Sequence, residues 1–253
     1  MNSINLNTTT ELSNCQVYRV GGCPNFDFYN SDNMEIMKQY PDNHFDLAVV
    51  DPPYGIGFDG EVASMTISPN MNSERKKRWN GRTVNKYTKK NWDKETPTRE
   101  YWEQLFRVSK NQIVWGGNHF ELRQSRGWIF WDKLMDKGFS LADGELAWTS
   151  FDKAVKKFTY LWAGFKKAKP ENRIHPTQKP EMLYSWLIKE YAKPDFKILD
   201  THLGSASIAI AVHKANVLDK MNLHFTGIEI DADYFQAAMN RIKKHVAQTT
   251  LKF

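Results

Sequence analysis

Residues 51–54, Asp-Pro-Pro-Tyr, directly follow the apolar run FDLAVV of residues 45–50. Ligands of an open parallel sheet bind beyond the carboxyl ends of its strands, so this run predicts a strand that ends at a chemical site. Asp51 and Pro52 each precede a proline, which favours extended backbone, and prolines donate no hydrogen bond. The segment therefore presents two acceptors on a rigid backbone, the Asp51 carboxylate and the Pro52 carbonyl.

Two acceptors held in this way suit an amine that carries two hydrogens, such as the exocyclic amine of a nucleobase. That amine is a poor nucleophile because its lone pair is conjugated with the ring. Drawing both hydrogens out of the ring plane moves the nitrogen toward tetrahedral geometry and releases the lone pair for attack. Tyr54 adds a flat face on which an extruded base can stack. The structural alternative is a turn with a buried tyrosine.

A second segment, ILDTHLGSAS at residues 198–207, predicts a cofactor site. The small residues Gly204, Ser205 and Ala206 lead from an apolar strand into the helix SIAIAVHKA, which is typical of a close-approach turn at a helix N-terminus. Glu229 ends the next predicted strand, where an acid can hold the two ribose hydroxyls of a nucleoside cofactor. The methyl group of Ala206 crowds this turn if the position needs a positive φ.

Around these residues the sequence alternates between apolar runs and amphipathic segments, which predicts an α/β fold. Helices are predicted from Thr96 and Pro97, from Pro180, after Ser205, and after Asp231 or Asp233. Strands are predicted at 45–50, 112–116, 127–131, 145–151, 196–200 and 224–230, several of them apolar enough to be covered on both faces.

Composition sets broad limits. The chain has 253 residues with 41% hydrophobic residues and a net charge of +6, which suits one domain over residues 1–253 and a polyanionic partner. The polar opening segment and the lack of a long apolar stretch predict a cytoplasmic protein with no membrane partner. Cys15 and Cys23 are predicted to be reduced thiols, and no cluster of ligating side chains predicts a metal. Chemistry through a cysteine nucleophile is excluded, since Cys23 lies far from any motif for one.

Two basic segments with interleaved aromatic residues are candidates for holding DNA. Residues 59–95 predict a mobile loop that follows phosphates and stacks on displaced bases, and residues 152–174 predict a target-recognition segment. A solvated charged face is the alternative for both. The predicted DNA-contacting residues are Arg75, Lys76, Lys77, Arg78, Arg82, Lys86, Lys89, Lys90, Lys156 and Lys157.

The Asp-Pro-Pro-Tyr motif, HPTQKP at 175–180 and ILDTHLGSAS together resemble the DNA amino-methyltransferases that use S-adenosylmethionine. The catalytic motif precedes the glycine turn, which resembles the permuted β class of that family. The resemblance implies a circularly permuted, Rossmann-like fold with a mostly parallel seven-stranded sheet in which one strand is antiparallel. It also implies methylation of adenine N6 in double-stranded DNA by base flipping, without a metal. A homodimer and a cognate restriction enzyme of a restriction-modification system stay open as partners.

Carried onto this sequence, the family pattern makes Asp51, Pro52, Pro53 and Tyr54 the catalytic motif. The cofactor residues it implies are Glu229 for the ribose, Asp32 for the adenine, Gln178 and Lys179 for the carboxylate, and Asp51, Asp200, His202, Leu203, Gly204 and Ser205 near the methionine part. Thr201, His202 and Ala206 depart from the usual Asp-Pro-Phe-x-Gly-Ser-Gly pattern. His202 and His175 are interpreted as packing or hydrogen-bonding residues rather than acids or bases.

Two alternatives remain open. Cytosine N4 offers the same amine geometry as adenine N6, although an aspartate as first motif residue favours adenine. A DNA-binding module that has lost cofactor binding is the alternative of a different class, and Ala206 is its only support.

Overall fold

Continuous apolar segments form the centre of one sheet, with helices on both of its faces. The computed structural model describes residues 15–57, 90–135, 142–163, 166–167 and 173–250. The elements in chain order are β1 (Val17–Tyr18), β2 (Phe26–Asn30), α1 (Asn33–Met37), β3 (Leu47–Val50), α2 (Arg99–Val108), β4 (Gln112–Trp115), a 3-10 turn (Gly117–His119), β5 (Trp128–Asp132), β6 (Gly144–Thr149), β7 (Lys156–Thr159), β8 (Trp162–Ala163), β9 (Lys166–Lys167), α3 (Glu181–Tyr191), β10 (Lys197–Asp200), α4 (Ser207–Leu218), β11 (His224–Glu229) and α5 (Ala232–Thr250).

The described strands form a nine-stranded sheet in the order β1-β2-β11-β10-β3-β4-β6-β5-β7, and β8 pairs separately with β9. Strands β2, β11, β10, β3 and β4 run parallel. Strand β6 is antiparallel to both of its neighbours. The order of the strands brings the ends of β3 and β10 side by side, although they lie far apart in the sequence.

The predicted α/β fold with a mostly parallel sheet is confirmed, and the predicted count of seven strands is too low. The stretch from β2 to β5 is the predicted sheet with its single antiparallel strand, and β1 and β7 extend the two edges. Strand β1 has only two residues, and β7 is mostly exposed. Edge strands of this kind carry no apolar run, so hydrophobic patterning does not detect them.

The two faces of the sheet pack into two cores. All four residues of β3 are buried, as are all four of β4. Leu47 and Val49 pack in the cluster that includes α3, α4 and α5, whereas Ala48 and Val50 pack in the cluster that includes α1 and α2. The apolar runs are continuous because successive side chains point to opposite faces and both faces are covered.

The helix starts differ slightly from the predicted ones. Helix α2 begins at Arg99 rather than Pro97, because Thr98 still has extended backbone (φ −71°, ψ 167°). Pro180 is the N-cap of α3 rather than its first residue. Of the two predicted caps of α5, Asp231 and Asp233, the structure selects Asp231, whose Oδ1 accepts from the amides of Asp233 (2.9 Å) and Tyr234 (3.0 Å). No described helix is long and apolar enough to cross a membrane.

Candidate active site

A cavity of about 360 Å³ lies beyond the carboxyl ends of β2, β11, β10 and β3. Every residue predicted to bind the cofactor lines it, although they come from separate parts of the chain. They are Asp32, Asp51, Gln178, Lys179, Asp200, His202, Leu203, Gly204, Ser205 and Glu229. Pro53 of the catalytic motif also lines this cavity, so the two predicted sites form one continuous site.

The glycine turn and Glu229 hold each other in place. Gly204 has φ +49°, and its amide donates to Glu229 Oε2 at 2.8 Å. The other carboxylate oxygen, Oε1, accepts from the Asp231 amide at 3.0 Å. Burial raises the pKa of Glu229, although the backbone hydrogen bonds oppose that shift. The carboxylate is thereby fixed at the cavity wall in one orientation.

Ala206 occupies a position where glycine is expected. It is buried and has φ +57°, in the left-handed region that favours glycine. An alanine there costs about 1–2 kcal/mol relative to the ordinary helical region. The turn nevertheless forms, with the Ala206 amide donating to the Leu203 carbonyl at 2.8 Å.

Asp200 ends β10 between two other carboxylates. Its Oδ1 accepts from the His202 amide at 3.0 Å. Burial raises the pKa of Asp200 to about 8, and the charges of Asp51 and Glu229 act in the same direction. Asp32 caps α1, where its Oδ1 accepts from the Met34 amide at 2.7 Å.

The two histidines of the motifs make hydrogen bonds within the wall. His202 Nδ1 lies 2.9 Å from Thr201 Oγ1, and its Nε2 lies 3.3 Å from Asn33 Nδ2. His175 Nδ1 lies 3.0 Å from Thr177 Oγ1. Burial lowers the pKa of His202 to about 4 and that of His175 to about 3. Both rings are therefore neutral at neutral pH, which agrees with their interpretation as hydrogen-bonding residues.

The Asp51 carboxylate accepts from two side chains. Its Oδ1 accepts from the Tyr54 hydroxyl at 2.8 Å, and its Oδ2 accepts from the Lys179 ammonium at 2.5 Å. Burial raises the pKa of Asp51, and the Lys179 charge opposes this shift. The side chain keeps 18% of its surface exposed, so the carboxylate remains accessible from the cavity.

The Lys179 ammonium is directed toward carboxylates of the chain itself. Besides Asp51, it lies 3.1 Å from Glu145 Oε2, and only 4% of the side chain is exposed. Burial acts to lower the pKa of Lys179, but the charges of Asp51 and Glu145 outweigh it and raise that pKa. Lys179 lines the cavity, and its charge is matched by Asp51 and Glu145; its contact with a cofactor carboxylate stays a prediction.

Gln178 is held by residues just before its motif and on β8. Its Oε1 accepts from the Ile174 amide at 3.0 Å, and its carbonyl accepts from Trp162 Nε1 at 3.0 Å. These contacts fix the HPTQKP segment against the cavity.

Sequence reasoning missed Glu145 on β6. The Glu145 carboxylate lies between two lysines: it accepts a hydrogen bond from the Lys133 ammonium and forms an ion pair with Lys179. Burial acts to raise the pKa of Glu145, but the two lysines outweigh it and lower that pKa to about 2. The segment ADGELAWTSF carries a charged residue within an apolar strand, and that anomaly is the only signal in the sequence.

The ring of Tyr54 packs against the segment WGGNHF. Gly116 has φ +66°, and a Cβ added there would lie 2.3 Å from Tyr54 Cε1, so only glycine fits. The exposed His119 ring stacks on Tyr54 with a centroid distance of 4.9 Å and an interplanar angle of 12°, and Phe120 makes an edge contact at 6.1 Å. The aromatic platform is therefore partly covered by its own chain.

Most of the predicted DNA-contacting residues, namely Arg75, Lys76, Lys77, Arg78, Arg82, Lys86 and Lys89, lie outside the described residues. Lys90 is described, and its contact with DNA stays a prediction. Its ammonium lies 2.7 Å from both Asp231 oxygens and 2.5 Å from Asp233 Oδ2. The carboxylates of Asp231 and Asp233 balance the charge of Lys90 within the chain. The segment that follows Lys90 runs along the cavity, which Trp92 lines.

The second basic segment is only partly available to a polyanion. Lys156 and Lys157 are exposed on β7, and Lys157 pairs with Asp132 at 2.8 Å. Phe158 makes a tilted ring contact with Trp186 of α3 at 5.2 Å, and Trp162 is buried. These aromatic rings pack with the core, and the target-recognition role of residues 152–174 stays a prediction. Residues 164–165 and 168–172 lie outside the described residues.

The comparisons with known proteins agree with this site. Residues 130–240 match the N6/N4 methyltransferase family, described as DNA methylase. This segment is a DNA methylase domain. The match confirms the family resemblance inferred from the motifs, and Glu145, Lys179 and Glu229 all lie within the matched segment.

Two relatives align over most of this chain. It is 24% identical to the type II methyltransferase M2.MboI of Moraxella bovis, over 86% of this chain and 87% of that protein. It is 23% identical to the putative methylase YubD of Escherichia coli K12, over 85% of this chain and 89% of that protein. The solved PvuII DNA methyltransferase, which is cytosine-N4-specific, has a TM-score of 0.50 and 9% identity, over 89% of this chain and 93% of that chain, and shares the fold.

Proposed function

We propose that this methylase transfers a methyl group from S-adenosylmethionine to N6 of adenine in DNA. The observation that carries the proposal is that Asp51 and the Gly204–Glu229 pair border one cavity. Family membership supports DNA methylation in general, and the site suggests where the donor and the acceptor meet.

The described residues fit a nucleoside cofactor. The cavity volume of about 360 Å³ lies within the range of small-molecule sites. Glu229 is held in position for a ribose diol, and Asp32, close to it beyond the end of the neighbouring strand β2, would face the adenine. Trp92 also lines the cavity, and its buried indole Nε1 has no hydrogen-bond partner among the described residues, which suits an acceptor on a ligand.

The methionine part of the cofactor would lie along Asp200, His202, Leu203, Gly204 and Ser205, with Gln178 near its carboxylate. S-adenosylmethionine supplies a methyl group on a positively charged sulfonium. No group of three or more His, Cys, Asp or Glu side chains in the described part of the chain is arranged to hold a metal ion.

The residues of the chain then act on the amine. Asp51 accepts one hydrogen of the exocyclic amine, and the Pro52 carbonyl accepts the other, so that the lone pair leaves conjugation. Lys179 and Tyr54 hold the Asp51 carboxylate in one orientation while it does so. A carboxylate oxygen accepts more than one hydrogen bond, so these contacts leave room for the amine.

Adenine N6 is proposed over cytosine N4 because the catalytic motif begins with aspartate. The shared fold with the cytosine-N4-specific PvuII enzyme keeps cytosine as the second candidate, since both bases present an exocyclic amine. Mass analysis of nucleosides from DNA of cells that express the protein distinguishes N6-methyladenine from N4-methylcytosine. Detection of N4-methylcytosine alone would overturn the choice of base.

A module that binds DNA without a cofactor is the alternative of a different class, and the strained Ala206 is the observation that favours it. Calorimetric titration with S-adenosylmethionine separates the two. Heat of binding supports the enzyme, and its absence supports the inactive module.

The central test of the mechanism is Asp51→Ala. This variant should keep the fold and cofactor binding and lose about 10²-fold or more in the single-turnover rate, because the lost acceptor acts at the transition state. Tyr54→Ala should also weaken capture of the extruded base, by about 1–3 kcal/mol. Substantial methyl transfer by Asp51→Ala would disprove the mechanism, even if the family assignment were correct.

A further inference from the structure

Asp93 is a buried acid outside the motifs, with 3% of its surface exposed. Its Oδ1 accepts from the amide of Tyr54 at 2.7 Å and from the amide of Gly55 at 3.0 Å. Its backbone carbonyl accepts from the amide of Gly57 at 2.9 Å. One residue therefore binds three backbone donors of the segment that follows the two prolines.

The sequence of the catalytic segment explains why these hydrogen bonds to Asp93 matter for its conformation. Pro52 and Pro53 have no N–H, so the Tyr54 amide is the first donor after β3. Gly55 and Gly57 have φ +70° and +67°, and glycine restricts the backbone less than any other residue. A carboxylate that accepts from two successive amides makes strong, charge-assisted hydrogen bonds and fixes the orientation of the peptide that carries the Tyr54 ring.

The residues just before Asp93 contact the wall of the cavity that is proposed to bind the cofactor. Three residues earlier, Lys90 pairs with Asp231, which caps α5 next to Glu229. Between them, Trp92 lines the cavity and packs on His175 at 5.2 Å. Residues 90–93 thus connect the cofactor wall to the catalytic segment, and the position of Asp93 depends on that wall.

We propose that Asp93 is a positioning residue for methyl transfer, which sets the place of Tyr54 and, through the Tyr54 hydroxyl, that of Asp51. This inference rests on the proposed function. Asp93 affects the chemical step because small displacements of a reacting group reduce the rate of transfer steeply. Cofactor affinity depends on other walls of the cavity.

The test compares Asp93→Ala, Asp93→Asn and Asp46→Ala in the full chain. Asp93→Ala should reduce the single-turnover rate at saturating DNA and S-adenosylmethionine by about 10- to 100-fold, with cofactor affinity nearly unchanged. Asp93→Asn should keep most of the rate, because its side-chain oxygen still accepts from the backbone. Asp46 also accepts from a backbone amide, that of Lys197 at 2.9 Å, but lies away from the cavity. Asp46→Ala should lower thermal stability without changing the rate constant.

Backbone hydrogen exchange of residues 51–57, measured without DNA, gives an independent readout. Exchange should rise in Asp93→Ala and remain near wild type in Asp93→Asn. Unchanged exchange in Asp93→Ala, a wild-type rate in that variant, or equal loss of rate in Asp93→Asn would each overturn the positioning role. Failure of the wild-type protein to methylate DNA would overturn the proposed function instead, and the exchange result would still decide what Asp93 holds.

Discussion

The Lys179 ammonium lies 2.5 Å from Asp51 Oδ2 and bridges to Glu145 Oε2 at 3.1 Å. One cation therefore lies between two partly buried carboxylates, only one of which belongs to the catalytic motif. Lys179 lowers the pKa of Asp51, and Glu145 raises it. The ionisation of the proposed amine acceptor is thus set by two residues of opposite charge.

These opposite effects predict opposite shifts of the pH–rate profile. Asp51 must be ionised to accept from the amine, so the rate falls as pH drops below its pKa. Lys179→Met should move this acidic limb to higher pH, whereas Glu145→Gln should move it to lower pH. Single-turnover rates across the pH range measure both shifts. Identical profiles for the two variants would contradict the assignment of Asp51 as the ionising acceptor.

Glu229→Ala should weaken binding of S-adenosylmethionine by about 2–3 kcal/mol, because it removes charge-assisted hydrogen bonds to the ribose. It also removes the acceptor of the Gly204 amide, so the glycine turn loses its partner. Glu229→Gln, which keeps one acceptor, should have an intermediate effect. Calorimetric titration measures each affinity, and an affinity of Glu229→Ala equal to wild type would show that the ribose lies elsewhere.

Replacement of Lys156 and replacement of Lys90 should affect DNA binding differently. Lys156 is exposed on β7, so Lys156→Ala should reduce the slope of log affinity against log salt by about one. The charge of Lys90 is matched by Asp231 and Asp233, so Lys90→Ala should leave that slope unchanged. DNA titrations at several salt concentrations compare the two variants. A reduced slope in Lys90→Ala would mean that its ammonium exchanges these carboxylates for phosphates.

Asp200 predicts a pH dependence of stability in the absence of cofactor. Its carboxyl ionises near pH 3.8 in the unfolded chain and at about 8 in the folded protein. Between these values the folded state retains a proton that the unfolded state has released, so the free energy of unfolding falls as pH rises, by at most about 1.4 kcal/mol per pH unit. Asp200→Asn keeps the acceptor for the His202 amide and should make this fall shallower. Urea unfolding between pH 5 and 8 checks it, and equal slopes would contradict it.

Local patterns in the sequence were sufficient to predict the central strands and the residues that line the cavity. Strands β3, β4, β10 and β11 are rich in apolar residues and buried along most of their length, because both faces of the sheet are covered. A residue that follows such a strand lies at the ligand-binding edge of the sheet, so Asp51, Asp200 and Glu229 were predictable as neighbours of one site. Glycine turns and helix caps likewise depend on adjacent residues.

Only the tertiary structure decided which side chains meet within that site. Lys179, Glu145 and Asp51 come from a loop, an antiparallel strand and the end of a parallel strand, and their sequence positions do not indicate that they form ion pairs. Asp93 and Lys90 looked like parts of a basic, solvent-facing segment, yet they bind the Tyr54 amide and Asp231. The pairing of a charge depends on which group packs beside it after folding, whereas hydrophobic periodicity depends only on the local backbone repeat.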